Sequence, residues 1–223
     1  MFSGIIEDIG IIRSKEPSLG SRMIRFIIET KLNLNDSKIG DSIAVNGACL
    51  TLLESMTSRL DIIGNPSGFG NSERSEESVN MFLTEISPET AQKTNLDKLE
   101  VGEVVNLERA MQLSQRVNGH LVSGHIDAVI SRVEIESVDD VDGGTILWFE
   151  LPDEFRKYLI VKGSVSLNGV SLTVNKIEDS KFSVFLIPHT IRYTNLIHDS
   201  SKLVNLEVDM IGKFIEQFVK SGG

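Results

Sequence analysis

The chain repeats itself, and this constrains its fold more than any other feature, because two copies of one pattern must build two copies of one unit. FSGIIEDIG (2–10) returns as VSGHIDAVI (122–130), and VNGACLT (45–51) as LNGVSLT (167–173). ISPETAQKTNL (86–96) returns as LIPHTIRYTNL (186–196), and VNLERAM (105–111) as VNLEVDM (204–210). The spacings run 124 − 4 = 120 for Gly4 and Gly124, then 169 − 47 = 122 for Gly47 and Gly169. They fall to 188 − 88 = 100 for Pro88 and Pro188, then 205 − 106 = 99 for Asn106 and Asn205. The first copy therefore carries an insertion of 122 − 100 = 22 residues between its second and third blocks. Residues 61–82, containing GNPSGFGNSERSEES, are the candidate. Gly, Ser, Asn and Glu favour turns and solvent, so an exposed, mobile loop is expected there.

Each copy reads as short strands. Ile24, Phe26 and Ile28 alternate with Arg25 and Glu29; Ile43 and Val45 alternate with Ser42 and Ala44. Ile146, Trp148 and Phe149 form an apolar strand, and Phe182, Val184 and Leu186 alternate again. A period near two in β-branched and aromatic residues marks half-buried strands. Gly40-Asp41, Asn46-Gly47, Gly143-Gly144 and Asn168-Gly169 punctuate them, and Asn-Gly is the favoured two-residue hairpin turn. Many short strands with regular turns suggest closed barrels, which leave no exposed edge. Pro152-Asp153-Glu154 starts a short helix, and Ile211, Phe214, Ile215 and Phe218 make one apolar helical face at the end of the chain. The expected class is all-β with minor α: two tandem barrels and a C-terminal helix. Residues 1–118 form the first unit and 119–204 the second, with a final strand and a helix in 205–223 whose apolar face packs on another subunit or, alternatively, within the chain.

Composition removes several functions. A formal charge of −10 repels phosphate backbones, so nucleic acid is excluded as a partner. No apolar run reaches the length of a membrane span. The acidic opening MFSGIIEDIG lacks the basic start of a signal peptide, which reads as a cytoplasmic protein. The single cysteine, Cys49, forms neither a disulfide framework nor a cysteine metal cage. A flavin reductase would need a Gly-rich strand-turn-helix, and none is present.

MFSGIIEDIG, the two NGxxLT blocks, GHLVSGHID (119–127) and the paired VNLE segments together resemble riboflavin synthase over nearly the whole chain outside 61–82. The resemblance implies that both barrels are six-stranded Greek keys, and that a homotrimer is built through the C-terminal helix, with active sites where the first barrel of one subunit faces the second barrel of another. It implies that two molecules of 6,7-dimethyl-8-ribityllumazine dismutate to riboflavin and 5-amino-6-(D-ribitylamino)uracil. No metal or other cofactor is implied, because the substrate supplies an acidic methyl group and an electrophilic carbon. Association with lumazine synthase stays open. Fluorescent lumazine and flavin antenna proteins share this fold without turnover and form the rival reading.

Cys49, Leu50 and Thr51 occupy the same place in the first copy as Ser171, Leu172 and Thr173 in the second. The resemblance puts them at the two ring sites and counts Cys49, Ser171, Thr173, His125 and Phe2 as catalytic. Cys49 alone could also be a small buried hydrophobe, and Phe2 simple core packing. Gly4, Ile5 and Ile6 map to a backbone segment gripping a lumazine edge, as do Gly124, His125 and Ile126. His125 stands where the first copy has Ile5, so the sites are unequal, and its pKa near neutrality suits an acid or base. Glu85, Ile86, Ser87, Pro88, Glu89 and Thr90 form one binding strand by resemblance, matched by Val184, Phe185, Leu186, Ile187, Pro188 and His189. Backbone groups would read the pyrimidine edge, and Ser87, Glu89 and Thr90 the ribityl chain. Lys162 is either an exposed lysine or a reach toward a ligand shared between subunits. His120 is either structural or functional, and His198 is a surface residue. Ser3 stands where the family more often has Thr. Asn168 stands where many members have Asp, which excludes a catalytic carboxylate there and suggests, with Asn46, a turn and hydrogen-bonding role.

Overall fold

A computed structural model of the chain describes residues 1–59, 78–137, 143–197 and 201–221. The first half contributes β1 (Asp8–Pro17), β2 (Ile24–Thr30), β3 (Ser42–Val45), β4 (Ala48–Thr51), β5 (Glu54–Arg59), β6 (Ser78–Ile86), α1 (Pro88–Lys93) and β7 (Val104–Arg109). The second contributes β8 (Ala128–Ser137), β9 (Thr145–Glu150), α2 (Asp153–Arg156), β10 (Ser164–Leu167), β11 (Val170–Glu178), β12 (Lys181–Leu186), α3 (Pro188–Tyr193), β13 (Leu203–Val208) and α4 (Met210–Ser221).

The second half closes as a six-stranded barrel, β10-β11-β12-β9-β8-β13. The first half has the same strand neighbours, written as a seven-stranded sheet, β4-β3-β7-β1-β2-β6-β5. Its two ends are consecutive in the chain, separated only by Leu52 and Leu53. In the second half one strand, β11, spans both roles, with a bulge between Val174 and Lys176. The single bulge of one copy is thus a full break in the other. Each half encloses its own core: Phe26, Ile28, Phe82, Ile86, Val105 and Leu107 in the first, Leu147, Phe149, Phe182, Val184, Leu186 and Leu206 in the second. Each such side chain, fully buried, is worth about 1.5–3 kcal/mol.

Pair register corrects the insertion. Glu54, Ser55 and Met56 face Leu83, Phe82 and Met81, as Lys176, Ile177 and Glu178 face Ser183, Phe182 and Lys181. Residues 57–80 therefore replace the two-residue turn 179–180, and 24 − 2 = 22 accounts for the whole offset. The expected loop 61–82 is displaced at its end, because Ser78–Ile86 is strand and Phe82 is core. Its remainder, 61–77, lies outside the described residues, as does His198. β13 pairs with β10 and β8 inside the second barrel, so a boundary between 204 and 205 falls within a strand.

The halves meet about a pseudo-twofold axis. Phe2 and Val122 form a reciprocal backbone bridge, N–H to O at 2.8 and 3.0 Å. The Asn46-Gly47 and Asn168-Gly169 turns, with φ of 45°, 80°, 47° and 81°, touch back to back. A Cβ on Gly47 would sit 2.6 Å from the Gly169 nitrogen, so only glycine fits both turns. Six buried asparagines knit this junction. Asn46 Oδ1 accepts from Asn106 N at 2.9 Å and Asn168 Oδ1 from Asn205 N at 2.8 Å. Across the axis, Asn106 Nδ2 donates to Asn168 O at 2.9 Å and Asn205 Nδ2 to Asn46 O at 2.8 Å. Asn95 N donates to Asn205 Oδ1 at 2.7 Å and Asn195 N to Asn106 Oδ1 at 2.8 Å. Asn168 thus has the turn and hydrogen-bonding role expected of it.

Candidate active site

The segment that opens each half lies against the other half. Ser171 N donates to Gly4 O at 2.7 Å, and Cys49 N donates to Gly124 O at 2.8 Å. Ile6 packs on the second core, and Ile126 on the first. The approach is close: a Cβ on Gly4 would lie 2.5 Å from the Ser171 Cβ, and one on Gly124 2.5 Å from the Cys49 Cβ, both at positive φ. One face therefore combines Cys49–Thr51 with Gly124, His125 and Ile126. The other combines Ser171–Thr173 with Gly4, Ile5 and Ile6. Along each strand Leu50 and Leu172 point into the cores, while Cys49 and Ser171 are half-buried and Thr51 and Thr173 exposed on the outer face.

Two buried carboxylates hold the crossing segments. Glu108 accepts from Ser3 N at 2.7 Å, Ser3 Oγ at 2.8 Å and Gly4 N at 3.0 Å. Glu207 accepts the equivalent bonds from Ser123 N and Oγ, both at 2.7 Å, and Gly124 N at 2.9 Å. Burial pushes the Glu108 carboxyl up, against the pull of the Ser3 and Gly4 donors. Ser3, whatever residue relatives prefer there, supplies the hydroxyl of this clamp. On the second face, His120 Nδ1 lies 2.6 Å from Ser171 Oγ. Burial lowers the His120 pKa, and Asp209 opposes that shift.

A family model described as "Lumazine binding domain" matches residues 3–110 and again 123–209. The riboflavin synthase of Photobacterium leiognathi is 36% identical over 227 residues, covering 99% of this chain and 89% of that one. The chain belongs to the riboflavin synthase family. That of Bacillus subtilis is 36% identical over 98% of this chain and 90% of its own, and that of Mycobacterium bovis 33% over 100% of both. Crystalline LumP complexed with 6,7-dimethyl-8-(1'-D-ribityl) lumazine superposes with a TM-score of 0.69 over 94% of this chain and 99% of that one; at 23% identity it speaks for the fold alone.

Within this riboflavin synthase framework the expected site residues differ in exposure and contacts. Phe2, expected to be catalytic, is 0% exposed; its ring packs with Ala44, Val122 and Cys49 and supports the first face from beneath. Ile86, Val184 and Leu186 are likewise 0% exposed and point into the barrels, which leaves only their backbone for a ligand. The strands expected through 90 and 189 stop early. Pro188 and Pro88 open helices instead, where a missing N–H costs nothing, and Ser87 Oγ caps the first by accepting from Thr90 N at 3.1 Å. Ser87 and Thr90 hydroxyls bond each other at 3.0 Å. Glu85 is engaged by Arg25 at 2.8 Å and Ser18 at 2.9 Å, Arg25 above all holding its pKa down. Glu89, Phe185, Ile187 and His189 are exposed, and His189 stacks on Tyr193 at 4.6 Å between centroids. Lys162 is exposed in a left-handed turn whose N–H donates to Val174 O at 2.8 Å, one residue from Thr173. His125 is exposed, one residue after the Gly124 carbonyl that accepts from Cys49 N, its own N–H donating to Ser123 Oγ at 3.1 Å.

Sequence reasoning missed Glu108 and Glu207 and left His120 undecided. The signal for the glutamates was present: an acid repeats at the same place in both copies, VNLE twice. Nothing comparable marked His120, because it comes from the segment joining the two copies. Among the described residues no group of three His, Cys, Asp or Glu gathers to hold a metal, and no helix is long and apolar enough to cross a membrane.

Proposed function

We propose that the chain binds one 6,7-dimethyl-8-ribityllumazine on each of its two faces and transfers a four-carbon unit between two such molecules, forming riboflavin and 5-amino-6-(D-ribitylamino)uracil. The observation that carries this reading is the duplicated, crossed site: each face needs a strand from one half and an opening segment from the other. A reaction between two identical molecules suits two quasi-equivalent sites on one scaffold. Holding two rings in register replaces a rare encounter by an oriented one, an advantage that reaches about 7–11 kcal/mol in well-aligned systems. Backbone groups of the opening segments and the outward Cys49, Thr51, Ser171 and Thr173 are the ligand-facing groups in this reading. His125 and Ser171 differ from their counterparts Ile5 and Cys49, which supports different roles for donor and acceptor.

Both faces are open to solvent, so each is completed by another subunit in this reading. The exposed apolar side of α4 supports a trimer contact: Ile211, Phe214, Ile215, Phe218 and Val219 are 57–75% exposed. The lone cysteine supports a cytoplasmic setting.

The deciding experiment mixes the purified protein with 6,7-dimethyl-8-ribityllumazine and no added cofactor, and follows absorbance. Riboflavin appearing at half the molar amount of lumazine consumed is the expected result. Binding with a fluorescence change and no riboflavin would overturn it in favour of an antenna role.

A further inference from the structure

The two faces differ in one element that the repeat does not explain. Around Cys49 the chain offers the Gly124 carbonyl, which accepts from its N–H. Around Ser171 it also offers an imidazole. The segment joining the halves returns across the second face and sets His120 Nδ1 at 2.6 Å from Ser171 Oγ. This placement is tight. His120 N donates to Ser3 O at 3.2 Å, and a Cβ on Gly119 would come within 2.2 Å of that carbonyl and 2.8 Å of Ser171 Oγ.

The ring's surroundings favour a neutral imidazole. Burial pulls its pKa below the ordinary value near 6.5, and the charge that opposes this is Asp209, just before α4. β11 presents Ser171 to the ring, and the N-terminal segment presents the Ser3 carbonyl. A neutral ring with Nδ1 unprotonated accepts from the serine hydroxyl, and an imidazolium formed in its place would face Asp209.

We propose that Ser171 and His120 form a proton relay on the second face, and that this face holds the lumazine whose methyl group is deprotonated. The methyl C–H gives its proton to Ser171 Oγ as the Oγ–H passes to His120 Nδ1. The C–H electron pair stays on the ligand as a delocalised anion, nothing is oxidised, and the reverse path returns the proton. His120 acts through Ser171 and does not touch the ligand. The proposal rests on the riboflavin-forming reading above.

The test uses the full-length protein and three variants: His120→Asn, Ser171→Ala and the double variant. Asn keeps an amide oxygen that accepts from Ser171 but cannot take the proton. The relay requires kcat to fall on the order of 100-fold in His120→Asn, with lumazine affinity by fluorescence titration roughly unchanged. It requires wild-type kcat to fall at acid pH through an ionisation below 6.5, and that limb to vanish in the variant. It also requires the double variant to be no slower than the slower single one, as for groups acting as a unit. Wild-type kcat in His120→Asn, an unchanged acid limb, or additive losses would each overturn the relay while riboflavin formation by the wild type stands. No riboflavin from the wild type would instead remove the enzyme reading, and the relay with it.

Discussion

Glycine and glutamate at the crossing segments carry the most consequence per atom. Gly124 has φ of +83° and no room for a Cβ beside Cys49, whereas Gly20, at +74°, has nothing within 4 Å. Gly124→Ala is therefore expected to lower stability well beyond the roughly 1 kcal/mol that a left-handed conformation alone costs, and Gly20→Ala to cost only that amount. Urea unfolding of the two variants side by side separates strain from collision. Glu207→Gln keeps an acceptor for Ser123 but turns an amide donor toward Gly124 N, so one buried donor loses its partner. A loss of about 1–3 kcal/mol is expected, with faster hydrogen exchange over residues 122–126 than elsewhere. Asn168→Ala removes the acceptor of both Asn205 N and Asn95 Nδ2, at 2.8 and 3.2 Å. Its cost, read by the same unfolding assay, is expected at about 1–3 kcal/mol, because Asn205 N is left alone while Asn95 Nδ2 keeps Leu203 O at 2.9 Å. Asn46-Gly47 and Asn168-Gly169 were readable as turns. That their backbone carbonyls accept from Asn205 Nδ2 and Asn106 Nδ2 of the other half was not, because a turn signal is local and each donor is contributed by a residue remote in sequence.

At the level of elements, the two copies show how one strand tolerates interruption. β11 absorbs its irregularity as a bulge, while the first copy breaks into β4 and β5 at Leu52 and Leu53, both copies keeping the same pairing on either side. Because Met56 and Met81 are already in register, residues 57–80 lengthen a hairpin whose equivalent in the second copy closes directly after Glu178. Replacing 57–80 by the two-residue Asp-Ser turn found at 179–180 is expected to leave riboflavin formation within about a factor of two and to preserve cooperative unfolding, since loop length costs little once the ends are fixed. A large loss of activity would mean that the insertion reaches a ligand face. α1 and α3 were hidden in the sequence for a clear reason: Ile-Ser-Pro-Glu and Leu-Ile-Pro-His continue apolar strands, and six-residue helices have no periodicity to detect. Their prolines were the available sign.

At the scale of the molecule, neither half is a self-contained unit. Residues 2–6 complete the second face and residues 122–126 the first, so the duplication behaves as an exchange of opening segments. α4 then leaves the second barrel with an apolar side uncovered, anchored at its base by Lys213 to Asp127 at 2.7 Å and by Tyr158 and Lys157 to Glu216. The trimer reading predicts that Phe218→Asp shifts the protein to monomer in light scattering while its far-ultraviolet circular dichroism is kept. If subunits complete each other's faces, riboflavin formation is lost along with the oligomer. An active monomer would refute that arrangement.

Duplication, strand periodicity, the Asn-Gly turns, the C-terminal amphipathic helix and the family could all be read from the sequence, because each is written in neighbouring residues or in whole blocks that return. The tertiary structure alone decided which half each opening segment serves, that Phe2 is buried under a face, that Glu108 and Glu207 clamp the crossings, and that His120 reaches Ser171. These depend on partners separated by 105 residues in the Ser3–Glu108 bond and 51 in the His120–Ser171 pair. Hydrophobic period fixes which way a side chain points from its own strand. It carries no information about which distant backbone will arrive there, since that is set by the packing of two barrels about a common axis.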